Sequence, residues 1–200
     1  MADKGKKKKR VAIFIDGSNF YFKLKTLVPT KTDFIHYRYR ELLKSLLDAD
    51  EAITYIGYYV GVVRDTKKAK NHEKALELIK NQQKVFEQLK HQRIEVVKGY
   101  LLERDNKFFE KGVDVRLAID IVSMAFEKQY DVAVVVSSDT DLIPAIVKAK
   151  QYKKDVVYVG FEHQPSLALL RYATRFRVIT RKEAERYAAK TITVRRYDEN

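Results

Sequence analysis

What most constrains this chain is the alternation, from Val11 onward, of short β-branched runs with longer stretches whose apolar residues recur every three or four positions. "VAIFI", "AITYIGYYVGVV", "RIEVVKGYLL", "VAVVV", "DVVYVG" and "RFRVIT" read as strands. Helical spacing lies between them, over Tyr37–Leu47, Ala69–Lys90, Val113–Phe126, Leu142–Gln151 and Ser166–Tyr172, and "RKEAERYAAK" reads as a last helix. Runs such as "VAIFI" and "VAVVV" have no polar face to offer water, so they fit a sheet covered on both sides. An α/β fold follows, with a central, mostly parallel sheet sandwiched between layers of helices.

The 200 residues include seven glycines and three prolines, with no Ser/Gly-rich linker and no internal repeat, which argues for one folded domain. We expect residues 1–10 to form a basic mobile tail built on "KGKKKKR", residues 11–180 the domain, and residues 181–200 a C-terminal helix and tail. The lack of cysteine excludes disulfides, zinc–thiolate sites and iron–sulfur clusters, and favours a cytoplasmic setting. No apolar stretch approaches the ~20 residues needed to cross a bilayer, so no membrane partner is expected. An excess of 40 Lys+Arg over 27 Asp+Glu, a formal charge of +13, is the footprint of a polyanion binder.

Against that basic background the acids stand out. In an open parallel sheet, ligands gather outside the carboxyl ends of the strands. "DGSN" follows the first strand and supplies Asp16 and Asn19; "SSDTD" follows "VAVVV" and supplies Asp139 and Asp141. Asp114 opens the helix before "VAVVV", where helical spacing through Ala118, Ile121 and Ala125 places it on the apolar, inward stripe. Asp120 reads instead as half of an Arg116–Asp120 pair on a solvated face. Each acid alone could be a helix cap or a dipole partner. Together, Asp16, Asp114, Asp139 and Asp141 would repel one another unless a cation neutralises them. Oxygen donors of this kind suit Mg²⁺ or Mn²⁺, with Asn19 lending a carbonyl or holding a phosphate oxygen.

"IFIDGSNFYFKL", "EKGVDVRLAIDIV" and "YDVAVVVSSDTDLIPAIVKAK…KKDVVYVG" resemble, in this order, the motifs of the NYN domain family, in its LabA-like branch of the PIN-like nucleases. The likeness runs from about Val11 to Thr180. It implies a PIN-like three-layer α/β/α sandwich and Mg²⁺- or Mn²⁺-dependent ribonuclease activity. It also implies an acidic set of Asp16 with Asn19, Asp114, and Asp139 with Asp141. Glycine usually stands in the third motif where this chain has Ser138, and often where it has Thr140.

The expected chemistry is hydrolysis of an RNA phosphodiester at that acidic site, with Lys111, three residues before Asp114, contacting a phosphate. Basic segments interleaved with aromatics, such as "HYRYR" and "LLRYATRFR", would hold the strand, and self-association into a homo-oligomer is compatible with this reading. The rival reading is an RNA-binding or regulatory module of the same fold with little turnover. A phosphatase of the haloacid dehalogenase type, which "IFIDGS" also resembles, would need a nucleophilic aspartate two residues before Asp16, where Phe14 stands.

Overall fold

A computed structural model of the chain describes residues 7–62, 72–104 and 107–189. The first six residues of the expected basic tail, the closing "TITVRRYDEN" and the start of the helix expected from Ala69 lie outside these residues.

The chain enters through strand β1 (Lys9–Asp16), continues directly into helix α1 (Gly17–Leu27), and then forms α2 (Tyr39–Ser45) and β2 (Glu51–Val62). Next come α3 (His72–His91), the hairpin β3 (Glu95–Arg104) and β4 (Lys107–Lys111), α4 (Val113–Phe126) and β5 (Val132–Val136). The last units are α5 (Ile143–Gln151), β6 (Asp155–Phe161), α6 (Leu167–Tyr172), β7 (Arg175–Ile179) and α7 (Arg181–Arg186). Among the described residues the strands form one sheet in the order β4-β3-β2-β1-β5-β6-β7. Six run parallel, and β4 is an antiparallel edge strand paired with β3. This is the expected α/β sandwich with a mostly parallel sheet.

Alternation along β1 shows how the sheet divides the core. Val11, Ile13 and Ile15 pack into the layer of α1, α2, α3 and α7, while Ala12 and Phe14 pack into that of α4, α5 and α6. Every residue of β5 is buried, which is why that strand reads as an unbroken apolar run. Ala184 of α7 is fully buried, and Tyr37 Oη donates to its carbonyl oxygen at 2.7 Å, so the last helix is part of the first layer.

Several expectations need correction. Strand β1 begins at Lys9, so the end of the expected tail is ordered: the Arg10 backbone N–H and guanidinium both bond the Asp131 carboxylate. Helix α1 occupies a segment outside the expected helices. Asp16 caps it, and Phe20, Leu24 and Leu27 bury at helical spacing. The α4 stripe is displaced by one residue from the expected one: Val113, Leu117, Ile121 and Ala125 are buried and Asp114 is exposed. The two stripes share Ile121 and Ala125, so the 3.6-residue period alone does not separate them. Asp120 does pair with Arg116, at 2.9 Å, but its face is not solvated. Its side chain is only 14% exposed and also accepts from Tyr59 Oη of β2 at 3.0 Å.

Candidate active site

The register of the parallel strands decides which loops become neighbours. Ile15 pairs with Val136, so the residues that follow, Asp16 and Ser137, leave the sheet side by side. Asp16 is 6% exposed and its two carboxylate oxygens are both engaged. Oδ1 accepts from the Asn19 backbone N–H at 3.0 Å, and Oδ2 accepts from Ser137 Oγ at 2.8 Å. The same Ser137 oxygen accepts from the Asp139 N–H at 3.0 Å, so one buried hydroxyl ties the β1 and β5 exits together. Asp139 in turn caps the short 3-10 turn Thr140–Leu142, its Oδ1 accepting from the Asp141 N–H at 2.9 Å.

Gly17 fits this junction because α1 starts hard against β2: a Cβ there would lie 2.4 Å from the Tyr58 ring and 2.7 Å from the Tyr59 carbonyl oxygen. Tyr58 Oη donates to the Gly17 carbonyl at 2.9 Å and fixes the approach. On the opposite side, Gly112 in the left-handed region, at φ 78°, turns the chain from β4 into α4 and delivers Asp114 to the first helical turn. Lys111 ends β4 and pairs in register with Tyr100 of β3, which itself pairs with Val62, three residues past the Tyr59 that pairs with Asp16. That places Lys111 at the carboxyl edge; its side chain lies outside the description.

Asp16 and Asp139 are therefore brought together through Ser137, whereas Asp114 and Asp141 are exposed at the rim. Among the described residues no three His, Asp or Glu side chains converge as a metal-holding group, so the four expected carboxylates do not form one ligand cluster. Local backbone claims account for the spread: Asp16 and Asp139 each satisfy the N–H groups of the turn they open. Two polar atoms at this edge are nonetheless buried with no hydrogen-bond partner among the described residues, Asn19 Oδ1 and Ser138 Oγ. Burying an oxygen unpaired costs about 1–3 kcal/mol, so such atoms ask for a ligand. Mg²⁺ and Mn²⁺ bind through one or two carboxylates and complete their shell with water and substrate phosphate. The Asp16 carboxylate, tied through Ser137 to the backbone of Asp139, and the unpartnered Asn19 carbonyl oxygen are donors of that kind.

Ser137 is the site residue that sequence reasoning missed. A serine after an apolar strand carries no signal by itself; only the pairing of β1 with β5 makes it Asp16's partner.

Comparison with known proteins agrees with this architecture. The NYN domain family model matches residues 10–180. The crystal structure of VPA0982 from Vibrio parahaemolyticus, described as a protein of unknown function, superposes with a TM-score of 0.60 at 19% identity, over 94% of this chain and 100% of that one. At that identity the likeness shows the fold. The uncharacterized protein MJ0482 of Methanocaldococcus jannaschii is 40% identical over 57 residues, 28% of this chain and 24% of that protein, so the match spans about a quarter of the relative's length. No helix among the described residues is long and apolar enough to cross a membrane.

Proposed function

This chain belongs to the NYN domain family, and on that premise we propose that it is a divalent-metal-dependent ribonuclease of the LabA-like branch, hydrolysing RNA phosphodiester bonds at the carboxyl edge of its sheet. The observation that carries the reading is the Asp16–Ser137–Asp139 linkage beside the unpartnered Asn19 Oδ1. Family membership brings the coarse assignment to the PIN-like nucleases; the linkage supports the specific chemistry.

In this proposal Asp16, Asp139 and the Asn19 carbonyl hold the cation, and Asp114 and Asp141 at the rim complete the acidic field around it. Bound there, Mg²⁺ or Mn²⁺ supplies charge neutralisation for the scissile phosphate and acidifies a water. Ser137 ties the Asp16 carboxylate to the backbone of Asp139 by donating to the one and accepting from the other, and so fixes the spacing of the two residues. Lys111, at the same edge, would contact a phosphate oxygen. The net charge of +13 supplies the sequence-independent attraction that a polyanionic substrate requires.

The test is cleavage of end-labelled single-stranded and structured RNA with Mn²⁺, with Mg²⁺ and with EDTA. Wild type should cut only with metal, and Asp139→Asn should lose roughly a hundredfold or more, since several kcal/mol of charge stabilisation are at stake. Tight RNA binding with equal, negligible turnover in both proteins would instead establish the binding-module reading.

A further inference from the structure

A second feature opens beside the acidic edge. A cavity of about 670 Å³ lies between α1, the loop that follows it, β2 and α3. That is within the ~300–1,000 Å³ typical of small-ligand pockets. Its wall begins at Gly17 and Ser18, the two residues directly after Asp16, so cavity and acidic edge share one turn of chain.

Its chemistry is uneven in an informative way. One corner is aromatic: Tyr21 and Phe34 meet edge to face with ring centroids 5.3 Å apart, and Phe22, 65% exposed, meets Tyr21 at 5.6 Å. The opposite wall, on α3, offers the carboxamides of Asn81 and Gln82, the latter held by its Nε2 donating to the Gly61 carbonyl at 2.9 Å. A cation stands outside the aromatic corner, Lys25 Nζ lying 5.9 Å from the Tyr21 ring centre. The loop wall is braced, since the Asp33 carboxylate accepts from the Ile35 N–H at 2.8 Å and bonds the His36 ring nitrogen at 2.6 Å.

We propose that this cavity is a nucleobase pocket, which takes one unpaired base of the RNA strand whose backbone crosses the acidic edge. The assignment of an RNA strand rests on the nuclease reading above; the pocket's own features choose the base. A flat, partly polar ring needs an apolar, aromatic wall for its faces and donor and acceptor groups for its edge, and the cavity provides both. Lys25, 5.9 Å from the Tyr21 ring centre, then offers a cation to the nucleotide's phosphate, and the Gly17–Ser18 segment joins the pocket to Asp16.

The experiment measures affinity in EDTA, where no cutting occurs, for labelled single-stranded hexaribonucleotides in which one abasic position is walked along the strand. For wild type, an abasic substitution at one or two adjacent positions should weaken binding about tenfold, the usual worth of one stacked base. Tyr21→Ala should erase that dependence, Tyr21→Phe should keep it, and the exposed Asn81→Ala should narrow it severalfold with an unchanged unfolding midpoint. Equal binding at every abasic position, or a dependence that survives in both Tyr21→Ala and Asn81→Ala, would overturn the pocket. Base-dependent binding without metal-dependent cutting would leave the pocket standing and remove the hydrolase. Cutting with no base dependence would do the reverse.

Discussion

The two ends of the sheet treat their acids in opposite ways. At the amino ends of the strands four carboxylates meet cations: Arg175 bridges Asp48 and Glu51, Arg177 reaches Asp48 at 2.6 Å, Arg10 holds Asp131 at 2.9 Å, and Lys9 lies 3.5 Å from Asp50. At the carboxyl ends, Asp16 and Asp139 accept from backbone N–H groups and a serine hydroxyl, and among the described residues neither Asp139 nor Asp141 forms an ion pair. One edge neutralises its acids within the chain, which serves stability. The other is the edge where ligands bind in parallel sheets, and in the function proposed above its carboxylates serve a ligand that brings positive charge with it.

The largest expected effect lies at the amino edge. Arg175→Ala leaves Glu51, whose side chain is 2% exposed, without its cation, and should cost about 3–5 kcal/mol of stability by denaturant unfolding. RNA cleavage per folded molecule should stay at the wild-type level. Replacing both members, Arg175→Met with Glu51→Gln, should recover part of the loss, because the uncompensated charge is gone.

Next comes the carboxyl edge, where Asp16→Asn should remove activity while changing stability little, since asparagine caps a helix as well as aspartate does. In the same variant, stabilisation by Mn²⁺ should vanish. For wild type it should approach about 2.7 kcal/mol at a hundredfold excess over the dissociation constant, read as a shift in unfolding midpoint. If Asp16→Asn unfolds the protein and Arg175→Ala is harmless, the division between the two edges is wrong.

A smaller effect is expected at Ser138, whose buried Oγ has no partner. Ser138→Gly removes that burden, about 1–3 kcal/mol, against the ~0.5–1 kcal/mol entropic cost of glycine, so the apo protein should gain about 1 kcal/mol. The smallest effect concerns pH. The Arg10 guanidinium holds the Asp131 carboxyl down to about 2 from an ordinary value of 3.8. Folded Asp131 thus binds a proton less readily than unfolded Asp131, and its contribution is complete above pH 4 and lost as pH falls towards 2. Asp131→Asn should flatten that part of the stability curve without altering cleavage at neutral pH.

Much of the fold was legible because burial on both faces leaves an unmistakable apolar run, as in Val132–Val136. Helix α1 was missed because it follows β1 with no intervening loop, although Asp16 as a cap and Phe20, Leu24 and Leu27 at helical spacing were its signal. Strand β4, "KFFEK", was missed because a short edge strand flanked by lysines carries little apolar pattern. For the site, the residue types and the edge were readable, but the grouping was not: Asp114 turned out exposed and Ser137 central.

Sequence by itself determined the layers of this protein and which strands end in acids, because local periodicity and turn chemistry act between near neighbours along the chain. Tertiary structure alone decided which of those acids are neutralised, which are joined and where a cavity opens. Arg175 meets Glu51 across 124 positions and Ser137 meets Asp16 across 121, and such encounters are set by strand register and packing, which no local pattern encodes.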